Sequence, residues 1–309
     1  MKTIQDLVFK AGDLLVSQNK ENPRLVIASA DDDAVLEAVS KAKNMGLQKI
    51  ILIGDQDKMK KIARRQNIDL HQFEVIHEKN NASAAEQAVL LIKDDHADMI
   101  MKGLVESSVF LKAVLKKDMG INLGKKISHV SVVESPNYHK LMFLTDGAII
   151  IAPTLNDKEA IIKNAVELAC STGLKMPKVA LLAAIEMVNP EKMPCTVDAA
   201  ILTQRNRRGE FANCIIDGPL AFDNAVNENS VKVKKIDSSV AGDADIFVVP
   251  SIETGNILYK SLVYMGNAKS AGLVMGTRVP VILTSRADSP ETKLASIALG
   301  ILSWYREDC

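Results

Sequence analysis

The feature that most constrains the fold is a short apolar run followed by a stretch of helical spacing, which occurs four times between residues 24 and 117. The apolar runs have strand length and are hydrophobic on both alternating faces. Such strands are typical of parallel sheets that carry helices on each side. The repeats therefore predict a parallel, doubly wound α/β sheet. The predicted strands are residues 24–29, 49–54, 73–77 and 97–103, and the last predicted helix is 109–117.

The repeat pattern changes between about residues 118 and 155. Three strand-like runs follow each other there at residues 128–133, 140–144 and 148–152, with no helical stretch between them. Turn residues at 137–138 and 146–147 separate the runs, which predicts an antiparallel insertion where one domain gives way to another. Strand–helix alternation then resumes. No flexible linker is evident, so two domains are expected to meet across a cleft.

Composition excludes several classes of protein. The chain has 309 residues, of which 47% are apolar, and its 38 basic and 38 acidic residues give no net charge. This balance and the low aromatic content argue against a nucleic-acid or membrane surface. Four scattered cysteines and five isolated histidines argue against a zinc site or a disulfide framework. No signal peptide or bilayer-spanning run is present, which predicts a cytoplasmic protein without a membrane partner.

The C-terminal segment from Val279 to Lys293 joins a predicted strand to a predicted helix. Ser289, Pro290 and Glu291 have the pattern of an N-cap, a first-turn proline and a first-turn acid. Ser285, Arg286 and Asp288 therefore lie in a loop between the end of a strand and the start of a helix. That edge of a parallel sheet binds ligands, and anions are favoured there. The loop is either a phosphate or oxyanion site or an ordinary capped loop with a surface arginine.

Other polar clusters follow predicted strands. Each has an ordinary interpretation as a turn, a helix cap or a solvated lysine, but their shared position at the carboxyl edges of strands supports convergence on one cleft. Fingerprints for dinucleotides, for the P-loop and for a nucleophile elbow do not occur. The clusters contain Lys102, Gly103, Ser107, Ser108, Asp217, Gly218, Pro219, Thr254, Gly255, Asn256 and Lys260.

Five segments resemble the phosphate acyltransferase family, which comprises phosphate acetyltransferases and phosphate butyryltransferases. The motif SRADS, followed by Lys293 in a compact chain, is more similar to the butyryl branch than to the acetyl branch. The segments are MKGLVESSVFLKAVL (101–115), FLTDGAIIIAPTL (143–155), DGPLAFDNAV (217–226), AGDADIFVVPSIETGNILYKSL (241–262) and VPVILTSRADSPETKLASIALG (279–300).

The resemblance implies two α/β/α domains with mixed or parallel sheets and an interdomain cleft, as in isocitrate and isopropylmalate dehydrogenases. Domain I would be discontinuous, with residues 1–127 plus 272–309, and domain II would be residues 128–271 and would form a dimer. The implied reaction converts butyryl-CoA, or another short or branched acyl-CoA, and phosphate into acyl phosphate and coenzyme A through a ternary complex. Coenzyme A and phosphate are substrates, no cofactor is bound, and the protein would be a homodimer or higher homo-oligomer.

The resemblance also assigns roles to residues. Ser285 matches the serine that contacts the thiol, and Arg286 matches the arginine that holds phosphate and stabilises the developing oxyanion. The position of the proposed base, an aspartate in acetyl enzymes, is Thr292 here, so Glu291 or Asp288 is predicted to substitute, with Glu291 favoured. An arginine of the acetyl enzymes is replaced by Lys125-Lys126. The substrate-binding residues implied are Lys102, Gly103, Ser107, Thr145, Asp146, Asp217, Gly218, Pro219, Thr254, Gly255, Asn256 and Lys260.

Alternative functions remain open at this stage. Within the same chemistry, the chain could be a phosphate acetyltransferase, because acyl-chain size depends on pocket volume. A second class is a non-catalytic regulator that binds coenzyme A or acyl phosphate, which the absent aspartate at Thr292 would allow. A third class is a metal- and NAD-dependent decarboxylating dehydrogenase, which rests on fold analogy alone. That class needs clustered acidic ligands and a cofactor loop, and the sequence has neither in convincing form.

Overall fold

The structure is a computed structural model that describes residues 1–17, 21–116, 121–122 and 124–306. The chain forms two compact units. The N-terminal unit comprises Gln5–Lys125 and Ala271–Tyr305, and the central unit comprises Met1–Ile4, Lys126–Ser270 and Arg306. The end of the predicted helix 109–117 and Cys309 lie outside the described residues.

The strands account for most of the apolar runs identified in the sequence. They are β1 (Arg24–Ala28), β2 (Lys49–Gly54), β3 (Glu74–His77), β4 (Met99–Lys102), β5 (Ser128–Glu134), β6 (Met142–Thr145), β7 (Lys178–Leu182), β8 (Ile215–Leu220), β9 (Ile246–Val248), β10 (Lys269–Met275) and β11 (Val281–Ile282).

The helices alternate with these strands. They are α1 (Ile4–Val16), α2 (Asp33–Asn44), α3 (Gln56–Gln66), α4 (Asn81–Lys93), α5 (Ser107–Val114), α6 (Leu155–Ser171), α7 (Cys195–Arg207), α8 (Phe222–Val226), α9 (Glu228–Lys234), α10 (Ile252–Lys260) and α11 (Pro290–Trp304). A 3₁₀ turn covers Leu70–Gln72, and a π-helical turn, Ser261–Met265, extends α10. In the part of the chain that the structure describes, no helix is long and apolar enough to span a bilayer.

The N-terminal unit has the predicted parallel sheet, in the order β3-β2-β1-β4-β11-β10. All neighbours are parallel except β10, which pairs antiparallel with β11. The central strand β4 is buried along its whole length, as a strand covered by helices on both faces must be. The side chains of Asp32 and Asp55 cap α2 and α3, because each accepts backbone N–H groups that have no helical partner.

The central unit has a mixed sheet, in the order β5-β6-β9-β7-β8. β5 and β6 pair antiparallel, as predicted, and the other neighbours are parallel. Two units with parallel and mixed sheets confirm the predicted α/β class.

The predicted third strand of the antiparallel insertion, residues 148–152, is wrong. Its backbone instead wraps around the buried carboxylate of Asp146, which accepts N–H groups from Ala148 at 2.8 Å, Ile149 at 3.0 Å and Ile150 at 3.2 Å. Backbone N–H groups that bind a carboxylate cannot also donate to a neighbouring strand. An apolar run that looks like a strand is therefore a loop here.

Two segments whose ordinary interpretation was a turn lie inside regular elements instead. Asp217, Gly218 and Pro219 belong to β8, an edge strand, where proline is tolerated because one side of the strand needs no N–H donor. Thr254, Gly255 and Asn256 belong to the first turns of α10, which Ser251 caps. The sequence predicts a helix only over residues 257–264, whereas the observed helix begins at Ile252, before this triplet.

Candidate active site

The carboxyl ends of β1, β4 and β11 define a polar edge in the N-terminal unit. β4 lies between the other two strands, with Lys102 opposite Ala28 and Met101 opposite Ile282. The register brings the segment after Lys102 beside the loop that leads from β11 to α11. The structure thus brings the predicted residues Lys102 and Gly103 next to Ser285, Arg286 and Asp288.

The loop from Ser285 to Asp288 is closed by its own hydrogen bonds. The Ser285 N–H donates to the Asp288 carboxylate at 2.7 Å, and the Asp288 N–H donates to the Ser285 carbonyl at 3.2 Å. Ser289 caps α11 by accepting the Thr292 N–H at 3.2 Å, which confirms the predicted helix start. Ser285 and Arg286 are exposed, so this short loop presents a hydroxyl and a guanidinium to solvent.

The side chain of Lys293 holds the same loop through hydrogen bonds to its backbone. Its side chain is only 2% exposed, and its ammonium group donates to the carbonyls of Ser285 at 2.8 Å and Asp288 at 3.0 Å. Burial lowers the pKa of Lys293, against the opposing effects of Asp288 and Asp32. This structural role of Lys293 was not predicted from the sequence. The sequence does contain a signal for this role, which is the position of the lysine in the first turn of a helix. A positive charge there is unfavourable with the helix dipole, so its presence indicates a compensating interaction.

Lys102 is a second buried lysine at this edge. Its side chain is 2% exposed, and its ammonium group donates to the carbonyls of Gly103 at 3.0 Å and Val105 at 3.1 Å. The pKa of Lys102 is lowered to about 8, chiefly by burial and then by the positive charges of Arg286 and Lys293, whereas Asp288 and Asp32 act in the opposite direction. The ordinary interpretation of Lys102 as a solvated lysine is therefore wrong.

Arg286 provides the accessible positive charge of the edge. Its side chain is half exposed, and one of its guanidinium nitrogens lies 3.7 Å from a carboxylate oxygen of Glu106, which is also exposed. A planar guanidinium in this position can bind a phosphate oxygen pair. The exposed Glu106, which is not among the residues predicted from the sequence, is thus an ion-pair partner of Arg286.

The two carboxylates predicted as bases have different surroundings. Glu291 forms an ion pair with Lys41 at 2.8 Å on the exposed side of α11, and the hydrogen bond from Lys41 lowers the pKa of Glu291. A glutamate with a lowered pKa is a weaker proton acceptor. Asp288 binds the Ser285 N–H within the loop. Neither geometry singles out a base.

Gly103 and Ser107 occupy the segment between β4 and α5. A Cβ atom at Gly103 would lie 2.0 Å from the Ser29 carbonyl oxygen, so glycine is required for β4 to pass beside the end of β1. Ser107 is exposed at the first position of α5. Gly103 therefore has a packing role, whatever else it does.

Several predicted substrate-binding residues meet in the central unit, around the Asp146 loop. Asp146 is 2% exposed and accepts a fourth N–H, from His129, at 3.2 Å, while the Thr145 hydroxyl donates to the His129 carbonyl at 2.9 Å. A Cβ at Gly255 would lie 2.8 Å from the Gly147 Cα, so glycine allows α10 to approach this loop. The Asn256 amide donates to the Gly147 carbonyl at 3.2 Å.

The remaining predicted residues of this unit lie apart from the Asp146 loop or at the surface. Asp217, Gly218 and Pro219 lie on β8, which the strands β9 and β7 separate from β6. Thr254 and Lys260 are exposed on α10. Over the described residues, no group of His, Cys, Asp and Glu side chains could hold a metal ion.

The fold and the polar edge together define an α/β protein that presents an exposed serine and arginine in a loop at the carboxyl edge of a parallel sheet. Comparison with known proteins identifies the family. The family model described as "Phosphate acetyl/butaryl transferase" matches residues 13–88 and 77–301. The chain belongs to this family of acyltransferases, which confirms the resemblance in its motifs.

Curated relatives in both branches of the family are similar over nearly the whole chain. The phosphate butyryltransferase of Clostridium acetobutylicum is 44% identical over 98% of this chain and 98% of its own length. The probable phosphate butyryltransferase of Bacillus subtilis is 44% identical over 96% of this chain and 97% of its own. The phosphate acetyltransferase of Thermotoga maritima is 42% identical over 89% of this chain and 93% of its own.

Solved structures agree with this result. A branched-chain phosphotransacylase from Enterococcus faecalis V583 superposes with a TM-score of 0.79 at 35% identity, covering 92% of this chain and 100% of that one. A phosphotransacetylase from Streptococcus pyogenes has a TM-score of 0.80 at 21% identity, covering 98% of this chain and 99% of that one, and supports the fold alone.

Proposed function

We propose that the protein interconverts acyl-CoA plus phosphate with acyl phosphate plus coenzyme A, with butyryl or another short or branched acyl group. The observation that carries the proposal is the accessible Ser285–Arg286 pair, held in a hydrogen-bonded loop at the carboxyl edge of a parallel sheet. Similarity to two butyryltransferases at 44% identity favours the four-carbon substrate. Similarity to a branched-chain phosphotransacylase extends the range to branched groups.

The proposed chemistry follows from the groups at the edge. In the direction of acyl-CoA formation, the thiol of coenzyme A loses a proton and attacks the carbonyl carbon of acyl phosphate, and phosphate leaves. The Ser285 hydroxyl donates a hydrogen bond to the sulfur, and the Arg286 fork binds the phosphate oxygens as charge develops on them. That Glu291 or Asp288 takes the proton stays a prediction. No covalent acyl-enzyme and no bound cofactor is required.

We propose that the two compact units correspond to the predicted domains, residues 1–127 plus 272–309 and residues 128–271. The central unit is proposed to form a homodimer or higher oligomer in the cytoplasm. Exposed apolar side chains on α10 and its π-helical extension support this assignment, since Ile257, Tyr264 and Met265 are 65%, 70% and 88% exposed. Light scattering coupled to size-exclusion chromatography tests the assembly, and a Met265→Asp variant should shift it towards monomer.

The first experiment measures the release of free thiol from acetyl-, butyryl- and isobutyryl-CoA with and without phosphate. Release that requires phosphate and is fastest with a four-carbon chain is expected. Arg286→Ala should lower turnover by roughly 100-fold or more, as for the loss of a group that stabilises an oxyanion, without unfolding. Fastest release from acetyl-CoA would assign the acetyl branch, and no release from any of the three would indicate a binding protein.

A further inference from the structure

The hydrogen bonds of Lys102 satisfy its neutral form as well as its charged form. An ammonium group has three N–H donors, whereas a neutral amine has two N–H donors and one lone pair. The carbonyls of Gly103 and Val105 accept two donors, at 3.0 and 3.1 Å. The third position on the nitrogen therefore bears a proton in the ammonium form and the lone pair in the neutral form. Loss of that proton leaves every remaining donor of Lys102 satisfied.

The charges around Lys102 also favour loss of the proton. Over the described residues of the N-terminal unit, no carboxylate forms an ion pair with this side chain. Arg286 and Lys293 repel its positive charge, whereas Asp288 and Asp32 attract it from a distance. Its pKa of about 8 is close to the value of roughly 8.5 for a free thiol, so a proton can pass between the two groups with little change in free energy.

The other candidate acceptors at this edge are less suited to the role. Thr292 cannot take up a proton at neutral pH, Glu291 is paired with Lys41, and the Asp288 carboxylate holds the Ser285 N–H. Lys102 is adjacent to the loop that contains Ser285 and Arg286, because β4 and β11 are neighbouring parallel strands. Among these candidate acceptors, Lys102 therefore remains. It is a lysine with a lowered pKa next to the proposed thiol and phosphate contacts.

We propose that Lys102, in place of the predicted Glu291 or Asp288, is the proton carrier of the acyl transfer, which takes the proton of the coenzyme A thiol and delivers it to the departing phosphate. This inference rests on the proposed function. Only 2% of the side chain is exposed in the free protein, so binding of the substrates must move part of the covering loops before the thiol reaches it. The same burial keeps bulk water from competing for the proton.

The step balances without a further reactant. The neutral amine of Lys102 accepts the thiol proton and becomes an ammonium, and the thiolate forms a C–S bond with the carbonyl carbon of acyl phosphate. The bond between that carbon and the bridging oxygen breaks, and the oxygen leaves with the electron pair as phosphate. The ammonium returns its proton to this oxygen, which gives hydrogen phosphate and the neutral lysine. In the reverse direction the same nitrogen first removes the proton from phosphate.

The test compares two substitutions in the reaction of butyryl phosphate with coenzyme A. Lys102→Arg keeps the positive charge and the N–H donors but cannot take up a proton, because an arginine stays protonated. Lys102→Met removes the charge, the donors and the ability to take up a proton. A proton carrier predicts that both variants lose roughly 100-fold or more of kcat near pH 7.5. Lys158→Arg is the matched control, because Lys158 is also buried but is paired with Asp198 at 2.7 Å, and its kcat should change by less than about twofold.

A titration of the unmodified protein tests the proposal without relying on a folded variant. The Nζ signal of Lys102 in protein labelled with ¹⁵N-lysine is expected to titrate with a midpoint near 8. A midpoint above about 10, or a Lys102→Arg variant within about tenfold of the original kcat, would overturn the proposal and leave the acyltransferase function intact. An unmodified protein that shows no phosphate-dependent thiol release would instead refute the proposed function itself, and this inference with it.

Discussion

Two buried lysines organise the candidate site at the scale of single residues. Lys102 and Lys293 are each 2% exposed, and each donates to two backbone carbonyls rather than to a carboxylate. Burying a charge with carbonyl partners alone is costly, and a costly arrangement of this kind is typical of functional sites. Lys293 fixes the backbone that carries Ser285, whereas Lys102 lies where substrates are proposed to react.

Lys293→Met is predicted to impair turnover by removing the two hydrogen bonds that hold the Ser285–Asp288 loop. We expect kcat to fall roughly 10- to 100-fold, because a small displacement of catalytic groups costs this much. The melting temperature should fall by only a few degrees. Lys158→Met is the control, since the loss of that buried lysine should lower stability but leave kcat within about twofold. An unchanged kcat in Lys293→Met would show that the loop keeps its shape without this anchor.

At the scale of secondary-structure elements, the start of α11 was predictable from the sequence, whereas the start of α6 was not. The N-cap of α11 was predicted from Ser289 and Pro290 because the determinants of a cap are local, and the structure confirms it. The start of α6 has a full capping box, in which Thr154 and Asp157 exchange hydrogen bonds, and Lys126 pairs with Asp157 at 2.8 Å. Such boundaries depend on a few neighbouring residues.

The capping box of α6 predicts a pH dependence of stability. Hydrogen bonds from Lys126 and Thr154 lower the pKa of Asp157 to about 2, against about 3.9 for an unperturbed aspartate. Because the pKa of Asp157 is lower in the folded state than in the unfolded state, its ionised carboxylate contributes its full stabilisation above about pH 4. This contribution is lost as the pH falls towards 2. Asp157→Asn should therefore be less stable than the original protein at pH 6, by a margin that shrinks at pH 2.5.

Urea unfolding at the two pH values measures this margin. Asp237→Asn, at an exposed position of the same unit, is the control and should show a small, pH-independent difference. An equal margin at both pH values for Asp157→Asn would mean that the carboxylate charge does not contribute to the cap.

The elements that the sequence did not predict have causes that lie outside the local pattern. Residues 148–152 have the composition of a strand, but their N–H groups bind Asp146, and no periodicity reports such competition. Gly255 suggested a turn, yet it lies in a helix, and glycine is needed there because a Cβ atom would lie 2.8 Å from the Gly147 Cα. Likewise, the burial of Lys102 depends on strand neighbours that are far away in the sequence.

At the scale of the whole molecule, the chain leaves the N-terminal unit and later returns to complete it. Ala271–Tyr305 supply β11 and α11, which place Ser285 and Arg286 beside Lys102 from the first part of the chain. The repeat pattern and the change near residue 118 were sufficient to predict two α/β regions. The adjacency of Lys102 and Ser285 followed only from the rule that ligand-binding loops share the carboxyl edge of a sheet.

Phosphate is predicted to stabilise the folded protein through this edge. A ligand at 100 times its Kd that binds only the folded state adds about 2.7 kcal/mol to the free energy of unfolding. The melting temperature should therefore rise with phosphate concentration, compared with chloride at equal ionic strength. The rise should be largely lost in Arg286→Ala and kept in Arg278→Ala, whose arginine pairs with Asp95 at 3.2 Å elsewhere in the same unit. Equal shifts in both variants would exclude Arg286 as the phosphate contact.

The contact between Gly103 and the Ser29 carbonyl affects how large mutational surveys of this protein should be interpreted. A Cβ atom there would meet a backbone oxygen at 2.0 Å, so every other amino acid should disappear from a library under selection for abundance alone. Replacements of Arg286, an exposed side chain, should persist under that selection and disappear only when growth depends on catalysis. The ratio of the two enrichment scores would then separate positions that shape the chain from positions that act on substrate, with Gly103 and Arg286 as the reference for each.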